Sequence, residues 1–556
     1  ANEFKFIVGL NRVTTDGSYN WTQKTNLLDI TNPQFDLAVG DITGSGGVYW
    51  DAQLGYFGRM NYVHKDRYLL EGNLRYDGSS KFPTDLRWRW FKSFSAGWIA
   101  SEESFMEWTK PVLSHLKLRG SWGVIGNQTV PSDLYISNMT AGQILWFINN
   151  NPVNAVGSPS QTVSNVTWED LETLDFGVDA RFLQNKLGVT FDWFRKTTKN
   201  MFSPLEGTTW TIGSGAPLGN YGRLTTTGFE LAVDFNHRFT NGLGINLRAN
   251  LDDAKSVFND YTSSRLMGSN YDGKTYGEIW GYETDRLYGY DDFVLGADGK
   301  PVLVNLTADM TKYFTSGGGR AYQLKDPNGV YQPRFQQSSN FFFGPGDVKF
   351  VDRNGDGEID NGDGTIDNPG DMKVIGNFTP RYNYGFRIGA DYKGFDFSAF
   401  FQGVGQRSVW GQGFLAIPGF HVSDGAMPAA IVDDYWTPEN QNAFYPAAFN
   451  NGGTANVNNM QVQSRYLLDM SYLRAKNITL GYSIPKNILQ RAAINTLRVY
   501  VSLENFFTWD KLNGLPIDPE EVAGYSMFNT TNYNSGRTGV GTPTFKSASL
   551  GLQLNF

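Results

Sequence analysis

The sequence predicts an all-β chain, a transmembrane antiparallel β-barrel to which it supplies about fourteen strands. Three observations predict it. Apolar and polar residues alternate with a period of two in segment after segment, the mark of strands with one oily and one wet face. No stretch approaches the run of about 20 apolar residues that a membrane helix needs. Short and long connections alternate along the chain, as they do where tight turns lie on one side of a membrane and long loops on the other.

The last ten residues state the pattern most plainly. Ala548, Leu550, Leu552, Leu554 and Phe556 fall on one face, and Ser547, Ser549, Gly551, Gln553 and Asn555 on the other. Upstream, Tyr68, Leu70, Leu74 and Tyr76 oppose Arg67, Glu71, Asn73 and Arg75, and Leu116, Leu118 and Trp122 oppose Lys117, Arg119 and Ser121. In 382–391 and 395–402, Phe386, Ile388, Phe397 and Phe401 oppose Arg387, Asp391, Asp396 and Gln402. Charges such as Arg119 and Arg387 are costly against lipid and ordinary against a wet lumen. The pattern places strands near 3–14, 53–64, 66–77, 88–99, 113–123, 173–184, 187–197, 225–239, 243–255, 380–393, 395–406, 468–484, 496–507 and 545–556. Long connections then fall at 15–52, 124–172, 198–224, 256–379, 407–467 and 508–544. The stretch 256–379 is too long for one structureless loop, and strands of its own are expected around 276–290.

Composition agrees. The 556 residues are 40% hydrophobic and 15% aromatic, with 63 glycines, which suits strands, turns and aromatic girdles. Tyr62, Tyr68, Trp88, Trp90, Trp98, Trp122 and Trp193 lie near predicted strand ends. The net charge of -8 gives no reason to expect nucleic acid as a partner. Without cysteine there is no disulfide and no thiolate chemistry. The first residues read as a strand rather than a leader, so sequence upstream of Ala1 is expected.

The sharpest local motif is 352–363. Asp352, Asn354, Asp356, Glu358, Asp360 and Asp363 are spaced to wrap a hard cation such as Ca²⁺, with Gly357 at the sharp turn. An EF-hand would carry Glu where Asp363 stands, and no flanking helices are evident. The alternative is a solvated turn cluster. A calcium ion here would be structural, stiffening an outer loop. Gly268–Thr275 matches the phosphate-loop pattern, but neither the strand before it nor the helix after it is present. The four histidines, His64, His115, His237 and His421, are scattered singly, and no nucleophile elbow appears. The chain reads as a non-enzyme.

Several blocks together resemble the SusC/RagA family of TonB-dependent outer-membrane transporters. They are Tyr56–Tyr62, Asp66–Glu71, Arg75–Phe82, Phe94–Trp98 with Glu103–Met106, Leu116–Gly123 with Gly126-Asn127, Gly277–Tyr282, Gly346–Lys349 running into the Asp352 loop, Tyr472–Tyr482 and Arg498–Ser502. The resemblance spans nearly the whole chain. It implies a 22-stranded barrel in a Gram-negative outer membrane, plugged by an N-terminal domain and closed by a SusD-like surface lipoprotein. It also implies import of an oligosaccharide or peptide, energised by TonB pulling on the N-terminus. On that reading residues 1–556 are the C-terminal barrel portion, and plug and first strands lie outside it. Residues 256–379 are a long extracellular loop region carrying the calcium motif. A second reading makes the barrel a structural subunit of an outer-membrane assembly or secretion complex. A third, resting on the motif alone, is a soluble calcium-binding β protein acting on carbohydrate.

Overall fold

A computed structural model describes the chain except residues 1, 131, 133, 149–150, 164, 205–215, 262–264, 306–319, 333–343, 412–428, 449–458, 460, 490–493, 521–543 and 556. Fourteen strands form one antiparallel sheet in which every strand pairs with its neighbour in sequence. They are β1 (Asn2–Lys24), β2 (Ile42–His64), β3 (Tyr68–Ser79), β4 (Trp88–Ile99), β5 (Leu113–Asn127), β6 (Glu169–Phe182), β7 (Leu187–Pro204), β8 (Leu218–Arg238), β9 (Gly244–Asn259), β10 (Arg381–Tyr392), β11 (Phe395–Gln406), β12 (Tyr472–Ser483), β13 (Thr496–Asp510) and β14 (Ser547–Asn555). Each matches a strand expected from alternation.

Two connections are shorter than expected: in 198–224, β7 runs on to Pro204 and β8 begins at Leu218, paired from Leu218↔Pro204. Residues 15–52 were expected as a loop, but β1 and β2 stay paired from Asn2↔His64 to Lys24↔Ile42. Their outer halves, rich in Gly, Ser and Thr, lack strong alternation, yet the ladder continues because backbone pairing needs no particular side chain. The expected strands near 276–290 exist as Glu278–Tyr282 and Thr284–Leu287. They pair with Met372–Asn377 and Val348–Phe350 in separate two-stranded sheets, so the order of the main sheet is undisturbed.

Register carries each face across the sheet. Val178, Phe191 and Leu231 stand directly opposite one another on β6, β7 and β8. One residue along, Gly177, Asp192 and Glu230 do the same. A slip of one residue would exchange the faces everywhere. The tight turn at Lys393-Gly394, with φ of 48° and 89°, is the mirror-image turn that matches the strand twist in a two-residue hairpin.

On the apolar face the rings gather in two bands. Near the short turns, Phe4 stacks on Tyr62 and Phe395 packs on Tyr482, both at 4.6 Å. Near the long loops, Tyr76 stacks on Trp90 at 4.5 Å and Phe176 on Trp193 at 6.2 Å. From Tyr68 in one band to Tyr76 in the other, β3 advances about 26 Å at ~3.3 Å per residue, or roughly 20 Å along an axis tilted about 40°. That fits within the apolar band of about 25 Å that such barrels present to lipid.

The largest hydrophobic cluster among the described residues lies outside the sheet, where described residues of the connections between β9 and β10, between β11 and β12, and just after β13 pack together. Val348, Phe350, Ile431, Trp436, Tyr466, Met470 and Leu512 are buried in it. A smaller cluster of Phe82, Phe91, Val130, Val166 and Trp168 joins the loops after β3 and β5.

The two faces differ in what they tolerate. In the full-length protein refolded into vesicles, Leu231→Arg on the apolar face is expected to cost about 2–4 kcal/mol. The next residue, Ala232, should accept Arg for less than about 1 kcal/mol. Urea unfolding of the two variants measures the difference.

Candidate functional site

The polar face is organised by arginines that reach across a strand. Arg119 on β5, Gly177 on β6 and Asp192 on β7 form one row. Arg119 Nη2 donates to Asp192 Oδ2 at 2.7 Å, passing over Gly177. Its Nε donates to Asp179 at 3.2 Å. The next row repeats the device: Arg181, Gly188 and Asp234 stand opposite one another on β6, β7 and β8, and the guanidinium meets the carboxylate at 2.8 Å. Arg238, Gly244 and Asp391 make a third. Two strand spacings are about 9.6 Å, a span an arginine and an aspartate close only over a residue with no side chain. A Cβ on Gly177 would stand 2.4 Å from Arg119 Cζ, and one on Gly188 2.3 Å from Arg181 Nη1. The Arg119 row is the best shielded and should stabilise most, while the solvated Arg238–Asp391 pair should add little.

A groove of about 630 Å³ lies on this face between β2 and β6, with Phe57, Arg59, Glu71, Arg75, Phe91 and Ile125 among its walls. It offers apolar surface beside both signs of charge.

The loop body holds a second concavity of about 680 Å³, lined by Tyr288, Asp292, Lys325, Lys349, Phe350 and Asp352 among others. Behind it lies a buried polar network. Asp347 accepts hydrogen bonds from the Gly344 N–H at 2.9 Å and Asn459 Nδ2 at 2.8 Å. Asn459 Oδ1 accepts from Val348 N, and Gln332 joins Val348 O to Phe350 N. Side chains from two different connections thus complete the short sheet at 348–350. Burial pushes the Asp347 carboxyl up to about 7, against the two donors, which favour its charged form.

The residues of the 352–363 motif are spread over several separate turns. Asp352 accepts from the N–H of Gly355 and Gly357, at 2.7 and 2.9 Å. Asn354 and Asp356 close a turn on each other, and Asp356 accepts from the Glu358 N–H. Asp360 accepts from Gly362 N, and Asp363 turns away to Thr365. Among the described residues no three His, Cys, Asp or Glu side chains gather as a metal cluster. At the centre stands Asp371, outside the motif, accepting from the N–H of Arg353 and of Asp360 at 2.6 and 2.8 Å. Its carboxyl is raised by burial. Nothing in the local spacing marks it, because it lies well past the motif. In the phosphate-loop lookalike, Lys274 donates to the carbonyls of Met267 and Ser269, and no helix follows. His421 and residues 263–264 lie outside the described residues.

A sheet with one apolar ringed face, one charged face and its long loops on one rim defines the wall of a transmembrane β-barrel with a loop body on that rim. The chain belongs to the TonB dependent receptor-like, beta-barrel family, whose profile matches residues 2–506. It is 26% identical over 516 residues to TonB-dependent receptor P3 of Formosa agariphila, covering 90% of this chain and 45% of that receptor. It is 27% identical over 485 residues to TonB-dependent receptor SusC of Bacteroides thetaiotaomicron, covering 84% and 41%. Among solved structures, the RagAB peptide transporter superposes with a TM-score of 0.67 at 17% identity, covering all of this chain and 53% of that one. The chain thus spans about half the length of the relatives it matches.

Gly177→Ala is expected to push Arg119 off Asp192 and to destabilise the barrel by about 1–2 kcal/mol, read in thermal unfolding of the full-length protein. Asp347 gives a pH dependence. Folded, it holds its proton up to about 7, against 3.8 ordinarily, so its contribution to stability falls as pH rises between those values and is flat above. Amide exchange at 346–350, corrected for intrinsic rates, should be slower at pH 5 than at pH 8. Asp347→Asn should remove the difference.

Proposed function

We propose that this chain is the C-terminal barrel portion of an active importer in a Gram-negative outer membrane, taking up a bulky nutrient. The observation that carries the reading is the joint presence of a charged inner wall and a co-folded loop cap on one rim, in a chain of the TonB-dependent receptor family. A porin needs no packed body of this size beside its lumen, whereas a receptor that must hold its cargo before passing it has a use for one. The RagAB peptide transporter supports a peptide as one cargo class, and the resemblance to the SusC/RagA family implies an oligosaccharide as the other. That resemblance also supports a SusD-like surface lipoprotein meeting the loop rim. TonB acts through sequence beyond this stretch. Transport is conformational: cargo that binds one arrangement of lid and plug better than another shifts the population toward it.

Deleting the full-length gene should abolish growth on one glycan or peptide source while leaving growth on its monomers intact, and the same defect should follow loss of TonB. Growth on every polymer without the gene would remove the import reading. We also propose that the oxygens of Asp352, Asn354, Asp356, Glu358 and Asp360, with or without Asp363, hold a structural Ca²⁺. The amides on Asp352 fix the turn while its carboxylate keeps lone pairs to spare. In the full-length protein, Ca²⁺ should slow proteolysis of the 346–371 region, and Asp352→Asn with Asp356→Asn should abolish that protection. Equal proteolysis with Ca²⁺ and with a chelator would contradict it.

A further inference from the structure

We infer that the apolar face carries, at its loop-side border, a binding site for a phosphorylated glycolipid of the outer leaflet, of the lipid A class. Arg195 and Lys255 grip its phosphate across Thr227. The inference rests on the outer-membrane placement but not on import.

Register builds the site. Arg195 on β7, Thr227 on β8 and Lys255 on β9 stand directly opposite one another. All three are exposed. Arg195 and Thr227 continue the face of Phe191, Trp193, Phe229 and Leu231, each lying an even number of residues from them along its own strand, and Lys255 shares that face as the residue opposite Thr227, four residues from the Leu251 that stands opposite Leu231. They therefore point outward, away from the lumen wall, where cations are uncommon. Arg195 and Lys255 are about 9.6 Å apart at the backbone, two strand spacings. The short Thr227 between them leaves a floor with a hydroxyl. A phosphate resting on that hydroxyl is within reach of a guanidinium on one side and an ammonium on the other.

Among the described residues neither cation is held in a contact ion pair, although Glu172 lies within electrostatic reach of Arg195 and Glu278 within that of Lys255. The neighbouring carboxylates are engaged. Glu172 takes Lys199 and the indole N–H of Trp122. Asp170 takes Arg89, and Asp253 takes Arg381. Glu278, the loop-body carboxylate that faces Lys255, accepts from Thr275 N and Trp280 Nε1. Lys92, exposed on the same face of β4 opposite Leu74, adds a further cation toward the same border.

Position selects the ligand. Directly below the row, one step nearer the short turns, stand Trp193 and Phe229 in register, with Phe176 stacked on Trp193. Such rings mark the depth at which headgroups give way to acyl chains. A lipid seated here puts its phosphate on the cations and its chains along Leu231 and Phe191. Cations at that depth attract anionic headgroups, and arginine pairs with phosphate through two donors at once. A free phosphate would gain the cations but not the apolar wall, so the site is assigned to the lipid.

The test uses the full-length protein purified in detergent, with hexa-acylated diphosphoryl lipid A as the probe. Its dephosphorylated form and inorganic phosphate are the comparison arms. Thermal unfolding and native mass spectrometry read binding. Diphosphoryl lipid A should raise Tm and stay bound on desolvation, and the Arg195→Gln, Lys255→Gln double variant should bind it at least tenfold more weakly. Lys196→Gln, on the opposite face of the same strand, should bind it as the unaltered protein does and shows that one lost cation alone is not the cause. Undiminished binding by the double variant would overturn the site. So would an equal response to dephosphorylated lipid A, since the phosphate would then be idle, or to inorganic phosphate, since the lipid would be. Uptake by the double variant is expected to be intact, so failure here leaves the import reading where it was.

Discussion

Every backbone N–H and C=O that enters hydrocarbon must find its partner within the protein. A chain without a long apolar helix can meet that demand only with strands paired on both sides. The twelve inner strands do so in strict sequence order, each between its two neighbours, while β1 and β14 stand at the ends of the sheet with one partner each. The rest follows from this constraint. Once the strands are locked in register, side chains have two destinations, and the sequence sorts them by alternation.

Sorting in this way removes the usual place for a hydrophobic core. The apolar side chains of the sheet face outward and the inner wall is ionic, held by arginines passing over glycines. Burial of the ordinary kind moves to the rim, where three connections distant in sequence pack Val348, Ile431, Met470 and Leu512 into one body. The loops are therefore a folded element with their own core and polar network, not slack between strands.

The sheet was legible in the sequence because a period of two survives at single-residue resolution. All fourteen strands, the alternation of short turns and long loops, and the aromatic bands at Tyr62, Tyr68, Trp122 and Trp193 could be placed from it. The outer halves of β1 and β2 could not, since Gly44, Ser45, Gly46 and Gly47 pair by backbone alone. The site was less legible. The motif 352–363 showed its acids, but Asp371 at its centre is joined to it only by folding. The rows Arg119–Gly177–Asp192 and Arg181–Gly188–Asp234 draw each member from a different strand, so no window of sequence contains them. The glycines were the one available sign, each breaking a polar face where a side chain was due.

The central claim is that one face of this sheet meets lipid and the other a water-filled lumen. The stretch has no cysteine of its own, so single cysteines can report each face in turn. Spin labels placed by Leu231→Cys and Ala232→Cys, and likewise by Phe191→Cys and Thr190→Cys, should be measured in the full-length protein in vesicles. Collision with oxygen and with a water-soluble nickel chelate would be compared at each site. Oxygen should dominate at 191 and 231 and the chelate at 190 and 232. Equal chelate access at all four positions would mean that the apolar face is not in lipid, and the barrel account would fail.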